Sequence, residues 1–257
     1  MQAFSVMFYR QVLRFFRARA RVVAMIVNPL IWLLFFGLGW SRVFQSPMAR
    51  MIFGGVDYLT FLAPGIFAMT LFSQSFIGGV SVIWDKQFGF LKEILVAPAP
   101  RSASIAGRIV GDATLVTLQG LVVLLLTFPL AHALRPAGLL PSLFLGFLMA
   151  LAFAGLGTAL ALKMESLEGF QMFMMILILP LTFLSGAIYP IAAMPGWMQA
   201  LAYANPLTYA VDGARHYLVG EAAARFSLAL DWGLLLLLGL GFLLLAVLAF
   251  RRATLEG

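Results

Sequence analysis

The feature that most constrains this chain is a series of six apolar stretches, each close to the length a helix needs to cross a bilayer. Crossing roughly 30 Å of hydrocarbon takes about 20 helical residues. The stretches cover residues 22–40, 58–84, 113–134, 139–162, 170–191 and 232–250. Asn28-Pro29 interrupts the first, and the last has a nearly pure leucine centre. A soluble fold needs polar cover, yet charged residues make up only 11% of this chain, against about 25% in ordinary soluble domains. The reading is an all-α, polytopic membrane protein with six transmembrane helices in one bundle.

Six spans place both ends on one side. Of the 17 Lys and Arg, twelve fall in segments on that side, and five (Arg42, Arg50, Arg135, Arg215 and Arg225) on the other. Cytoplasmic loops carry the basic excess, so both termini are expected in the cytoplasm and the chain in the cytoplasmic (inner) membrane. The first stretch runs on into Gly37–Trp40 without a small-residue cleavage site, and reads as a retained span rather than a signal peptide. The net charge of +7 then marks basic loops and contact with anionic lipid, not nucleic acid. Absence of cysteine excludes disulfides, thiol redox chemistry and cysteine-ligated metals.

Three segments do not span. Residues 1–21 place Arg10, Arg14, Arg17 and Arg21 at 4-3-4 spacing on one helical face, with Phe8, Val12 and Phe15 roughly opposite. That pattern predicts a basic amphipathic helix lying in the membrane interface. Between the second and third spans, about residues 85–97, Trp84, Phe88, Leu91 and Leu95 form an apolar stripe. Lys86 and Glu93 project opposite, and Pro98 and Pro100 stop the helix. Such a stripe either rests on lipid or docks into a soluble partner. The third segment, about residues 190–225, contains Pro190, Pro195, Trp197, Asn205-Pro206, Tyr209 and Tyr217. It is too broken to span and too apolar for a solvated loop, so short interfacial or re-entrant helices on the outer side are expected.

Missing chemistry narrows the function. A P-loop needs glycines followed by Lys-Ser or Lys-Thr to cradle phosphates, and Lys86, Lys92 and Lys163 are followed by Gln, Glu and Met. His132 and His216 lack metal-ligand neighbours. Ser185-Gly186 lacks a nucleophile motif and reads as a close-packing site. The spans are nearly free of ionisable residues, with Asp57, Asp112, Glu165, Glu168 and Asp231 near their ends or outside, and Asn28, Gln74, Gln119 and Gln171 as the polar groups within. That argues against a proton- or sodium-coupled carrier. Phe35, Phe36, Phe67, Phe72, Phe76 and Phe173 either line an apolar pathway or face lipid.

Three stretches resemble the membrane subunit of type-2 ABC exporters, a family that includes drug, lipid and polysaccharide exporters. They are the Tyr58-Leu-Thr-Phe-Leu-Ala-Pro-Gly65 opening of the second span, the run from Asp85 through Glu93 to Pro98-Ala-Pro-Arg101 and on to Ile105-Ala-Gly-Arg108, and Pro180-Leu-Thr-Phe-Leu-Ser-Gly-Ala-Ile-Tyr-Pro190 with Asn205-Pro-Leu-Thr-Tyr209. The resemblance covers essentially the whole chain. It implies a permease that dimerises, with itself or a sister permease, and works with a separate cytoplasmic ABC ATPase dimer. ATP and Mg would bind that partner, leaving this chain without cofactor or catalytic residues. By matching position, the coupling helix would fall on Phe88, Gly89, Phe90, Leu91, Lys92 and Glu93. Residues 1–21 would be the interface helix, and Pro190, Asn205, Pro206 and Tyr209 would belong to an outer gate. The expected cargo is an amphipathic drug, lipid or glycolipid-like molecule, with polysaccharide export, or a non-ABC channel or scaffold, as the alternatives.

Overall fold

The computed structural model describes residues 2–44, 46–90, 93 and 99–252, and among these it is helical with no strand. Helix α1 is Gln2–Arg17. Helix α2 starts as Arg19–Trp32 and continues through a π-helical segment, Leu33–Leu38, to Gly39–Ser41. Then follow α3 (Pro47–Ile52), α4 (Tyr58–Gln87), α5 (Arg101–Thr127), α6 (Leu139–Lys163) and α7 (Leu167–Phe183). The chain ends its described course with α8 (Gly196–Ala204), α9 (Pro206–Leu218) and α10 (Leu228–Arg252).

Five helical stretches are long and apolar enough to cross a membrane: Val22–Ser41, Tyr58–Gln87, Arg101–Thr127, Pro136–Lys163 and Leu228–Arg252. The sixth expected span, α7, is a shorter apolar helix of 17 residues, about 25 Å long at 1.5 Å per residue. The chain is therefore a multi-pass membrane protein. Three boundaries differ clearly from the sequence reading; one is the end of the third span, which stops at Thr127 rather than residue 134, two residues before Pro129. The third span begins at Arg101 rather than residue 113, because Pro100 sets the helix start and the charged first turns are buried against α1. The fifth ends at Phe183 rather than residue 191. The chain turns at Leu184, Gly186 takes a left-handed φ of +75°, and Pro190 cannot continue a helix.

Helix α4 is the axis of the bundle. Asp57 starts it by accepting the Thr60 amide at 3.0 Å and the Thr60 hydroxyl at 2.7 Å, and buried residues then occur on every side of it from Tyr58 to Asp85. Phe67, Phe72 and Phe76 are at most 1% exposed, the last two packing on Phe153 of α6 at 4.7 and 5.0 Å between ring centroids. These three therefore neither line a pathway nor face lipid. Phe35 and Phe173 are exposed, and Phe36 stacks on Trp32.

Helix α1 buries a different face from the one its sequence pattern predicts. Met7, Gln11 and Phe15 form its buried face, and it crosses α5 where a Cβ on Gly107 would lie 2.4 Å from the Phe4 carbonyl oxygen. Gly111, one turn on, sits beneath Phe8 and Gln11. The Gly107-x-x-x-Gly111 pair thus lets α1 approach the α5 backbone closely, the use such small-residue pairs have between membrane helices.

Candidate functional site

Helix α1 brings its arginines to the end of α4, and there they meet a carboxylate. Arg10 donates to both oxygens of Asp85, at 3.0 and 3.3 Å, in a forked arrangement. Arg108 of α5 donates to Asp85 Oδ2 and, at 2.6 Å, to Ser81 Oγ. Arg14 Nη1 lies 3.7 Å from Asp85 Oδ1. One carboxylate thus joins α1, α4 and α5. Arg108 is 1% exposed, so this carboxylate supplies the counter-charge its burial requires. Arg17 is exposed, and the Arg21 side chain lies outside those described.

The same cluster touches the segment that follows α4. The helix runs through Gln87 and is closed at Phe88, after which Gly89 takes a φ of +78°. A left-handed turn there breaks the apolar stripe expected to continue from Trp84 through Phe88, because residues on either side no longer share one helix axis. Phe88 is 84% exposed. Phe90 begins the next turn and lies under the Arg10 guanidinium, 3.8 Å from ring centroid to Cζ. Glu93 is exposed and its amide reaches the Gly89 carbonyl. Leu91, Lys92, Leu95 and Pro98 lie outside the described residues.

Charge also occurs farther inside than the sequence reading placed it. Because α5 starts at Arg101, Asp112 lies roughly 17 Å along the helix at about 1.5 Å per residue. It accepts from Gln11 Nε2 at 3.1 Å. Beside it, α2, α4 and α7 enclose a cleft of about 130 Å³. Asn28, Thr70, Ser73, Gln74 and Thr182 bring polar groups to it, and Trp32, Ile66, Met69, Ile178, Leu179 and Phe183 form the apolar wall. Thr70 and Ser73 return their hydroxyl protons to the carbonyls of Ile66 and Met69, which leaves their oxygens to act as acceptors. Such a cleft offers a few hydrogen-bonding groups within an apolar surround, the arrangement that orients amphipathic ligands.

At the opposite end of the bundle, Asn205, Pro206 and Tyr209 come together at the corner between α8 and α9. Asn205 caps α9 by accepting the Leu207 amide at 3.0 Å, and its Nδ2 donates to the Leu181 carbonyl at 2.6 Å, tying the corner to α7. Pro206 follows at the first helical position, where its missing N–H costs nothing. Tyr209 donates to the Tyr203 carbonyl at 2.6 Å. Pro190 lines a neighbouring pocket with Asp212 and Arg215. Sequence reasoning missed these last two as buried groups. Arg215 donates to the Gly186 carbonyl at 2.9 Å and covers the Phe61 ring. Asp212 accepts the Arg225 and Phe226 amides at 2.7 and 2.9 Å; burial pushes its carboxyl above the ordinary range, against the pull of those amides. Ser185, weighed for chemistry, gives its hydroxyl proton to the Thr182 carbonyl and accepts the Ala187 amide, so it holds the turn.

A family model for the ABC-2 type transporter matches residues 2–219, which takes in both ends of the bundle and the cleft between. The chain belongs to the ABC-2 type transporter family. As a member, it is the membrane permease component of a transporter, and the family in general works with an ABC ATPase. It is 30% identical over 240 residues to the putative transport permease ycf38 of Pyropia yezoensis, covering 90% of this chain and 80% of that one. It is 28% identical over 224 residues to the daunorubicin resistance ABC transporter permease protein DrrB1 of Streptomyces coeruleorubidus, covering 83% and 74%. With the inner membrane transport permease YadH of Escherichia coli K12 the identity is 24% over 202 residues, covering 77% of each.

Proposed function

We propose that this permease subunit moves an amphipathic drug, lipid or glycolipid-like molecule out of the cytoplasm. It works as a dimer, with a second copy or a sister permease, and is driven by a separate ABC ATPase dimer that binds ATP and Mg. The observation that carries the cargo assignment is the cleft of Asn28, Thr70, Ser73, Gln74 and Thr182 set in apolar walls. The flanking faces of α2 and α7 are rich in exposed apolar side chains, including Ile31, Leu34 and Phe35 on one and Met172, Met175, Ile176 and Leu179 on the other. A second permease seated there would turn the cleft into part of an enclosed path. The Streptomyces relative is named for resistance to a drug, daunorubicin.

The energy enters at the Asp85 end, which this reading places in the cytoplasm together with both termini, in the inner membrane. Closure of the ATPase dimer on ATP displaces the Phe88–Glu93 segment. Phe90 sits under Arg10, and Arg10 shares Asp85 with Arg108, so the displacement is delivered to α1, α4 and α5 together. The corner of Asn205, Pro206 and Tyr209, with Pro190 beside it, then opens on the outer side. ATP can drive this only by binding one of the two arrangements more tightly than the other. The test is ATP-driven movement of a fluorescent amphipathic dye in proteoliposomes holding the permease and its copurifying ATPase. Transport that falls at least several-fold in Asn28→Leu with Gln74→Leu, with assembly intact, supports the reading. Undiminished transport in that variant overturns the cleft as the path.

A further inference from the structure

Helices α6 and α10 run parallel and cross closely in mid-bundle. A Cβ on Gly155 would lie 2.8 Å from the Phe242 backbone. Beyond that crossing a groove of about 440 Å³ opens between them, lined by Leu156, Ala159, Leu245, Leu248 and Ala249 and closed at its head by Lys163 and Arg252. The volume falls within the roughly 300–1,000 Å³ of small-molecule sites. Seven residues separate Leu156 from Lys163, and Leu245 from Arg252, so the apolar channel is about 10 Å deep on both walls. Among the described residues neither Lys163 nor Arg252 has an ion pair, and Arg251 is exposed beside them. Part of this charge answers the two helix C-termini, each worth about half a negative charge. Two cations at the groove and a third adjacent exceed that, and exposed Glu165 and Glu168 of the next turn make no bridge to Lys163 within 4.0 Å among those residues.

We infer that this groove is a binding site for an anionic phospholipid, one acyl chain lying between α6 and α10 and the phosphate held by Lys163 and Arg252. Basic pockets between membrane helices recognise headgroups in this way, and the groove supplies the chain-binding half that a bare basic surface lacks. The site lies on the face formed by the fourth and last spans, away from the cleft of α2, α4 and α7, and does not depend on the cargo assignment.

The test uses the full chain, purified in neutral detergent, melted by tryptophan fluorescence with rising dioleoyl phosphatidylglycerol or dioleoyl phosphatidylcholine. Phosphatidylglycerol should raise the melting temperature by several degrees more than phosphatidylcholine. That difference should vanish in Lys163→Gln with Arg252→Gln. It should vanish equally in Ala249→Phe, which fills the groove and keeps both charges. Equal responses to the two lipids, or a difference that survives in either variant, would overturn the site. So would an equal shift from millimolar inorganic phosphate, which would mark a free-anion site. Native mass spectrometry of the unaltered chain gives an independent check: phosphatidylglycerol adducts should outlast phosphatidylcholine adducts as collision energy rises, and the reverse order would refute the inference.

Discussion

Replacing Asp85 by alanine should unfold the bundle end that the arginines share. The carboxylate meets three guanidinium groups, but they do not contribute equally. Arg10 and Arg14 have side chains 29% and 33% exposed, so on losing Asp85 they can turn to water, and their loss of a partner should cost little more than the roughly 1 kcal/mol of a surface pair. Arg108 is 1% exposed and, among the described residues, has only Ser81 left to accept from it. Stranding one member of a buried pair costs about 3–5 kcal/mol, and nearly all of the loss should come from this residue. The assay is equilibrium unfolding of the purified chain in mixed micelles with increasing sodium dodecyl sulfate, followed by circular dichroism. The charge-free pair Asp85→Leu with Arg108→Met should recover at least half of the loss, because no buried charge is left without a partner. An Asp85→Ala variant within about 1 kcal/mol of the unaltered chain, the size of an exposed pair, would refute the argument that Asp85 holds a buried cation.

Other substitutions test separate parts of the account. Gly107→Leu should lift α1 from α5, since even its Cβ would fall 2.4 Å from the Phe4 carbonyl; overpacking of this kind costs about 1–3 kcal/mol, and limited proteolysis should then release α1. Asn205→Ala removes a helix cap and the bond to the Leu181 carbonyl, with a cap alone worth roughly 0.5–2 kcal/mol; Asn205→Asp keeps the cap and should melt between the two. Phe88→Ala removes an exposed side chain, so stability should stay within about 0.5 kcal/mol while ATP-driven transport is lost.

Much of the fold was legible because apolar length is a coarse signal that lipid enforces. Residues 58–84 and 139–162 read as spans from hydropathy alone, and the helices there extend only a few residues beyond. The sequence pattern starts the third span twelve residues late for a physical reason. Arg101, Arg108 and Asp112 look like solvated loop residues, and become helical interior only because α1 supplies Arg10 and Gln11 beside them and Asp85 answers Arg108. The arginine face of α1 was visible at its 4-3-4 spacing, but its partner was not, since Asp85 lies 75 residues from Arg10. Gly107 and Gly111 flanking Arg108 were the available sign that something packs on that face. Asp231 was assigned to a span end and is 0% exposed there, with neither carboxylate oxygen hydrogen-bonded among the described residues. Nothing in its local sequence separates it from an exposed first-turn acid.

In the proposed function the ATPase engages the turn after α4. The chain has no cysteine, so a single Phe88→Cys variant can be cross-linked without background. Purified, labelled at that thiol with a maleimide-linked benzophenone, mixed with its ABC ATPase and illuminated, it should give a permease–ATPase adduct, formed by insertion into a neighbouring C–H bond, whose yield changes when ATP is added. Trp197→Cys, on the exposed face of α8 at the other end of the bundle, should give none. An adduct from position 197 but not from position 88, in a complex that still copurifies, would contradict the account.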